Sequence, residues 1–342
     1  EIMSSDWSSD VCSSDLDVTL VEDIQALDEV VVMGYGTIKK SNLAGSVSQV
    51  DGEDIKSAPI TSFEDGLQGK VAGVQVIKGN PMMGGTPIIR IRGYNTMLGG
   101  NAPLFVVDGV PMRLNSSTAL GSINPEDIAS VTVLKDASAT AIYGARGSNG
   151  VIVIETARGE SGRNQLNFEM IMGYQRIRNK LDMMEAQEFI ELANEKAVYE
   201  GREPYYPDPS QYTESTDWQA EMFRTAPMRK YSLSYSGGDE HNRFNISGNW
   251  LDQKGIIIGS AYKRGALRVN LDNRINDRIK FISSLNASRT LNDRVHGWNF
   301  GMLTAPAVFP TLSVYKEDGT YNDFADSELF MTEQVNPVEY AR

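Results

Sequence analysis

The chain has 342 residues and a formal charge of −13, long enough for two domains but without the clustered Lys and Arg that nucleic-acid binding needs. It holds no apolar run of about 18 residues for a membrane-crossing helix, and no charged-then-apolar start for a signal peptide. Its single cysteine, Cys12, excludes an internal disulfide and any multi-cysteine metal site.

Ser-Ser-Asp recurs from Ser4, Ser8 and Ser13, and Asp10 to Leu16 looks like a translated sequencing adapter. Residues 1–16 are therefore expected to be an artefactual or disordered leader without function. Asp17 to Ala26 alternates weakly, as the last strand of an upstream domain would. In the next segment, Asp28 and Glu29 precede the β-favouring Val30, Val31 and Val32, followed by Met33, Gly34, Tyr35 and Gly36, whose glycines break regular structure. An extended segment of this kind can add as a strand to a partner's sheet through backbone hydrogen bonds, although an ordinary edge strand also fits these residues.

Ser62 is expected to cap a short helix within 60–69, followed by a strand over Val71 to Ile77. Ile88 to Arg92 places Ile89 and Ile91 on one face of a strand and Arg90 and Arg92 on the other, so one face packs on a core and the other meets charge or water. Leu104 to Val107 is an apolar run that stops at Asp108-Gly109, a pair suited to a tight turn. Asn124 is a candidate N-cap with Pro125 at the first helical position and Glu126 and Asp127 in the first turn, where the helix dipole favours acids. A strand from Ser130 to Leu134 follows. Asp136 is the expected cap of a helix from Ala137 to Tyr143, ended by Gly144, and Val151 to Ile154 return as a buried strand. Together these elements make a small mixed α/β sheet.

Arg158 to Arg163 is a polar, glycine-bearing boundary, after which the period changes to two. Phe168, Met170, Met172 and Tyr174 alternate with other residues, as do Tyr231, Leu233 and Tyr235 with serines, and Leu267, Val269 and Leu271 with Arg268, Asn270 and Asp272. Dyads of this kind between short turns mark outer-membrane barrel strands. A soluble β-sandwich gives the same alternation; Tyr231, Trp250 and Tyr262 near strand ends favour the membrane interface. Ala186 to Tyr199 interrupts the pattern as an amphipathic helix with Phe189, Ile190, Leu192, Ala193 and Ala197 on its apolar side, placed in a loop. Tyr205 and Tyr206 beyond it either stack on sugar rings or pack the loop.

Little in the chain suggests catalysis. Gly79 to Thr86 imitates a phosphate loop, but Gly85 stands where the lysine belongs, and Gly144 to Gly150 has dinucleotide-loop spacing in the wrong structural order, so its glycines are turn positions. His241 and His296 form no zinc motif, no Gly-x-Ser-x-Gly occurs, and Glu53 with Asp54 reads as a solvated face. No cofactor, metal or enzyme activity is expected.

The segments LDEVVVMGYG, LFVVDGVP and INPEDIASVTVLKDASATAIYGARGSNGVI, in this order, resemble the SusC/RagA type of TonB-dependent outer-membrane transporter. The resemblance covers Leu27 to Gly159 and, more loosely, the strands beyond. It implies an α+β plug with a small mixed sheet and short helices, followed by the first strands of an incomplete transmembrane antiparallel β-barrel. The implied organisation is a leader at 1–16, the end of an upstream domain plus the TonB box at 17–36, the plug at 37–160 and part of a barrel at 161–342. Large plugged transporters use about 22 strands of about 9–11 membrane residues. Only 182 residues follow Glu160, so an amino-terminal fragment is expected.

By the same resemblance, Asp28 to Gly36 is the handle for the TonB–ExbB–ExbD complex, and Arg90 and Arg92 are candidates for contact between plug and barrel. The implied partners are a SusD-like surface lipoprotein and the outer membrane, and the implied cargo is an oligosaccharide, sometimes a peptide. Two other readings stay open: a secreted β-rich glycan-binding or adhesion module, and a siderophore or cobalamin receptor.

Overall fold

The computed structural model describes residues 30–33, 36–39, 47–56, 62–77, 83–85, 87–96, 100–112, 123–295, 308–322 and 336–341. The leader at 1–16 and the weakly alternating stretch at 17–26 lie outside them.

Two five-stranded sheets dominate. The first contains β3 (Val47–Asp51), β6 (Leu104–Val107), β7 (Val110–Pro111), β8 (Ile128–Leu134) and β9 (Val151–Thr156), in the order β3-β8-β9-β6-β7. Only the β6–β9 pair is parallel, so the sheet is mixed as expected. Of its central strands, β6 and residues 151–154 of β9 read as unbroken apolar runs because both faces are covered. One face packs Phe105, Val131, Val133, Ile152 and Ile154 against Ile55 of α1 (Gly52–Lys56), Phe63 and Leu67 of α2 (Phe63–Leu67), and Ile89 and Ile91 of β5 (Ile88–Ile91). The other face buries Leu104, Val106, Leu134, Val151 and Val153 beneath Ala139 of α3 (Ala137–Thr140). Phe63 meets Phe105 edge-to-face, with ring centroids 6.2 Å apart.

Several local expectations shift. The strand begun at Val71 is shorter, β4 (Val74–Ile77), paired with β5. Pro125–Asp127 forms a single 3₁₀ turn, and neither the Asn124 nor the Asp136 side chain accepts a capping hydrogen bond from a backbone N–H. Ser62 precedes α2 without capping it either. The helix expected to Tyr143 stays α-helical only to Thr140, then tightens into a 3₁₀ stretch, Ala141–Gly147, broken at Gly144. The Asp108-Gly109 turn forms as read, with both residues at positive φ, 48° and 84°, as a two-residue hairpin requires.

The second sheet is an antiparallel meander of β10 (Gln165–Gln175), β11 (Ala226–Gly238), β12 (Asn242–Lys254), β13 (Ala261–Asn276) and β14 (Ile279–Asp293). Among the described residues it does not close on itself. Its burial is inverted: Phe168 is 66% and Trp250 48% exposed, while Arg268 and Asn270 are 4% and 2% exposed. A soluble sandwich would bury the apolar face, so the burial decides between the two readings of the alternation. Tyr231 and Trp250 lie in the outward phase. Tyr262 does not; it is buried on the inner side, where its ring lies against Gly84.

Between β10 and β11 the chain makes a long excursion containing α4 (Ala186–Tyr199), which starts in a capping box between Glu185 and Glu188. Ile190 and Ala197 are buried there, but Leu192 is exposed. Phe189, Tyr206, Tyr212 and Phe309 make an aromatic cluster, so Tyr206 is a packing residue and not an open stacking platform.

Candidate functional site

The site is the seam where the first sheet lies on the inner, polar face of the second. Arg268 projects inward from β13 and is almost wholly buried. Its guanidinium lies 3.3 Å from the Asp108 carboxylate and 3.8 Å from that of Asp127. The hairpin turn holds Asp108 in place: its carboxylate accepts the Thr156 backbone N–H at 3.0 Å and the Thr156 hydroxyl at 2.8 Å. A turn residue thus splints β6 to β9 and presents charge to the wall.

Next to it, Lys230 of β11 donates to Glu126 at 2.6 Å, with both side chains largely buried. Asn270 donates to the Thr156 hydroxyl at 3.0 Å and to the Ala157 carbonyl at 2.8 Å, while Ser284 of β14 donates to Asn270 at 2.6 Å. Arg158 pairs with Asp272 at 2.6 Å. Gly159 then crosses so close to β11 and β12 that a Cβ would run into the carbonyls of Gly237 and Phe244. Buried pairs of this kind gain little relative to an apolar contact, but removing one partner strands the other charge, costing about 3–5 kcal/mol.

Burial raises the Asp127 carboxyl above its ordinary range, against the opposing pull of the Ser247 hydroxyl and Arg268. It raises Glu64 of α2 to about 7, only partly offset by its own backbone N–H, by Ser62 and by the charge of Arg264 of β13.

Of the candidate residues, Val30 to Met33 form β1 (Val30–Met33), paired antiparallel with β2 (Gly36–Lys39), which begins at Gly36. This two-stranded sheet stands apart from the two larger ones. Asp28, Glu29, Gly34 and Tyr35 lie outside the described residues. Arg90 lies 4.0 Å over the Tyr94 ring, and Arg92 pairs with Asp136, which explains why Asp136 caps no helix. These partners belong to the same side of the seam as the arginines themselves. Strands β10–β14 instead receive Asp108, Glu126, Asp127 and Arg158, which local rules make turn, first-helical-turn and boundary residues, together with Thr156 at the end of β9. One signal was available: Arg268 and Asn270 sit in the polar phase of a strand whose other phase is apolar.

No cluster of three or more metal-ligating side chains occurs among the described residues. His241 sits in the β11–β12 turn, where its backbone N–H donates to Asp239.

A family model, the TonB-dependent receptor plug domain, matches residues 39–151. TonB-dependent receptor P26 of Formosa agariphila is 37% identical over 95% of this chain and 32% of its own length. TonB-dependent receptor SusC of Bacteroides thetaiotaomicron is 34% identical over 90% of this chain and 31% of its own length. The chain spans about a third of these relatives. Among solved structures, the RagAB peptide importer in its open-open state superposes with a TM-score of 0.72 at 28% identity, covering 91% of this chain and 38% of the other.

Proposed function

Because the chain belongs to the SusC/RagA-type TonB-dependent receptors of the outer membrane, we propose that it supplies the plug and the first wall strands of an active nutrient importer. Residues 37–160 are the plug and 161–342 part of the barrel in this reading. The observation that carries it is the seam: a mixed sheet seated by buried ion pairs on the polar face of a second sheet whose other face is apolar and exposed. A plug inside a membrane barrel requires that arrangement, and a secreted glycan-binding module has no use for it.

Asp28 to Gly36 is the segment that TonB grips, drawing on ExbB and ExbD. In support, Val30 to Met33 are extended and, among the described residues, pair only with β2, so a strand from a partner has a backbone edge to join. The cargo is an oligosaccharide or a peptide, delivered with a SusD-like lipoprotein. The RagAB structure, described as a peptide importer, supports the peptide side of this assignment. Deleting Asp28 to Gly36 from the whole receptor is expected to abolish uptake while leaving cargo binding at the cell surface. Uptake that survives the deletion would sink this mechanism.

A further inference from the structure

On the outward face of the wall, cross-strand neighbours fall into rungs about 6.8 Å apart, two residues of strand rise. One rung joins Leu233, Gly248, Leu267 and Ala287. The next joins Tyr231, Trp250, Gly265 and Arg289. Gly248 leaves a hollow between the leucines and Ala287 a shallower one beyond Leu267, and Trp250 lies over Gly265, where an added Cβ would be 3.0 Å from the ring. The result is an apolar groove walled by Phe168, Leu233, Trp250 and Leu267, with Arg289 at its lip.

The third rung joins Arg229, Asp252, Lys263 and Leu291. Arg229, Lys263 and Arg289 are all exposed, and no carboxylate among the described residues forms an ion pair with any of them. Asp252 stands between two of them in register, and Asp293 lies one rung further from the groove, opposite Ala261, so the local balance is still positive. Tyr231 and Trp250 mark the level at which a membrane turns from hydrocarbon to headgroup. Cations just beyond that level meet lipid phosphates.

We propose that this face is a binding site for a phosphate-bearing membrane lipid, with an acyl chain in the groove and the phosphate on Arg229, Lys263 and Arg289. The site rests on the assignment of β10–β14 as membrane wall, but not on TonB or on any cargo. Charge complementarity selects the occupant: a zwitterionic lipid would bring its own ammonium to three cations, and free phosphate would leave the groove empty.

The test is native mass spectrometry of the whole receptor, released from nanodiscs containing equal phosphatidylglycerol and phosphatidylcholine with the same chains. The unaltered receptor is expected to retain the anionic lipid on the order of tenfold more. The R229A/K263A/R289A variant should lose that preference, and Gly248→Leu, whose Cβ meets nothing within 4 Å, should release bound lipid by filling the groove. Equal retention of both lipids, an unchanged preference in the triple variant, or full displacement by inorganic phosphate alone would overturn the proposal. Cargo uptake is measured in parallel and should be unaffected, so a failure of transport is read separately from a failure of lipid binding.

Discussion

The two five-stranded sheets solve opposite burial problems with the same number of strands. In the first, Ile152, Ile154, Val131 and Val133 are enclosed by short helices and β5, and charge is kept to the rim. In the second, Phe168, Leu233 and Leu267 face outward while Lys230, Arg268 and Asn270 are buried. The same driving force acts in both, because apolar surface is removed from water in each case. What differs is the medium that removes it: packed protein for the first sheet, lipid for the second. The polar side chains on the wall's inner face can then only be satisfied by another polar surface, and the rim of the first sheet supplies it.

The largest expected effect breaks that joint. Arg268→Ala leaves Asp108 and Asp127 buried without their cation, at a cost of about 3–5 kcal/mol. Hydrogen exchange should show the loss in β6 and β9, which Asp108 splints together. Unchanged protection there would mean that the seam does not hold the plug. A smaller effect separates the two faces of the wall: Leu233→Arg on the outward face, one rung inside the level of Tyr231 and Trp250, should cost about 1–2 kcal/mol, between the interfacial and midplane values, and Ser234→Arg on the inward phase should cost less. Equal costs, read from denaturant unfolding in bilayers, would remove the distinction between the faces.

The remaining effect lies in pH. The Glu64 carboxyl is raised from an ordinary 4.5 to about 7 by burial, so the fold favours its protonated form. Its contribution is fully present below the ordinary value and is lost as pH rises through about 7. The plug should therefore weaken between about pH 5 and about pH 8, and Glu64→Gln should flatten that part of the profile. A variant that keeps the same slope would show that Glu64 is not its source.

Local chemistry was legible in the sequence, and long-range pairing was not. The Asp108-Gly109 turn, the return strand at Val151 and the helix at Ala186–Tyr199 follow from short-range rules and appear where those rules put them. The alternation of Leu267, Val269 and Leu271 was equally plain, but alternation alone cannot say which face water or lipid covers; burial decides it. Asp108 and Arg268 are 160 residues apart, and nothing near Asp108 says that its carboxylate serves the wall as well as its own turn. Asp136 misled for the same reason: its local context fits a cap, and the nearby Arg92 guanidinium takes it instead. Leu192 lies on the apolar side of its helix by periodicity, yet only part of that side is covered.

The opposite burial of the two sheets follows from β10–β14 standing in lipid with the plug on their polar side. Single spin labels at Leu233, Leu267, Ser232 and Asn270 of the whole receptor in bilayers, with Cys12 replaced, test it through relaxation by lipid-soluble oxygen and by a water-soluble nickel chelate. Labels at Leu233 and Leu267 are predicted to respond to oxygen and not to nickel, while those at Ser232 and Asn270 are shielded from oxygen in the lipid. Nickel reaching Leu233 and Leu267 as readily as it reaches a surface loop would contradict the account.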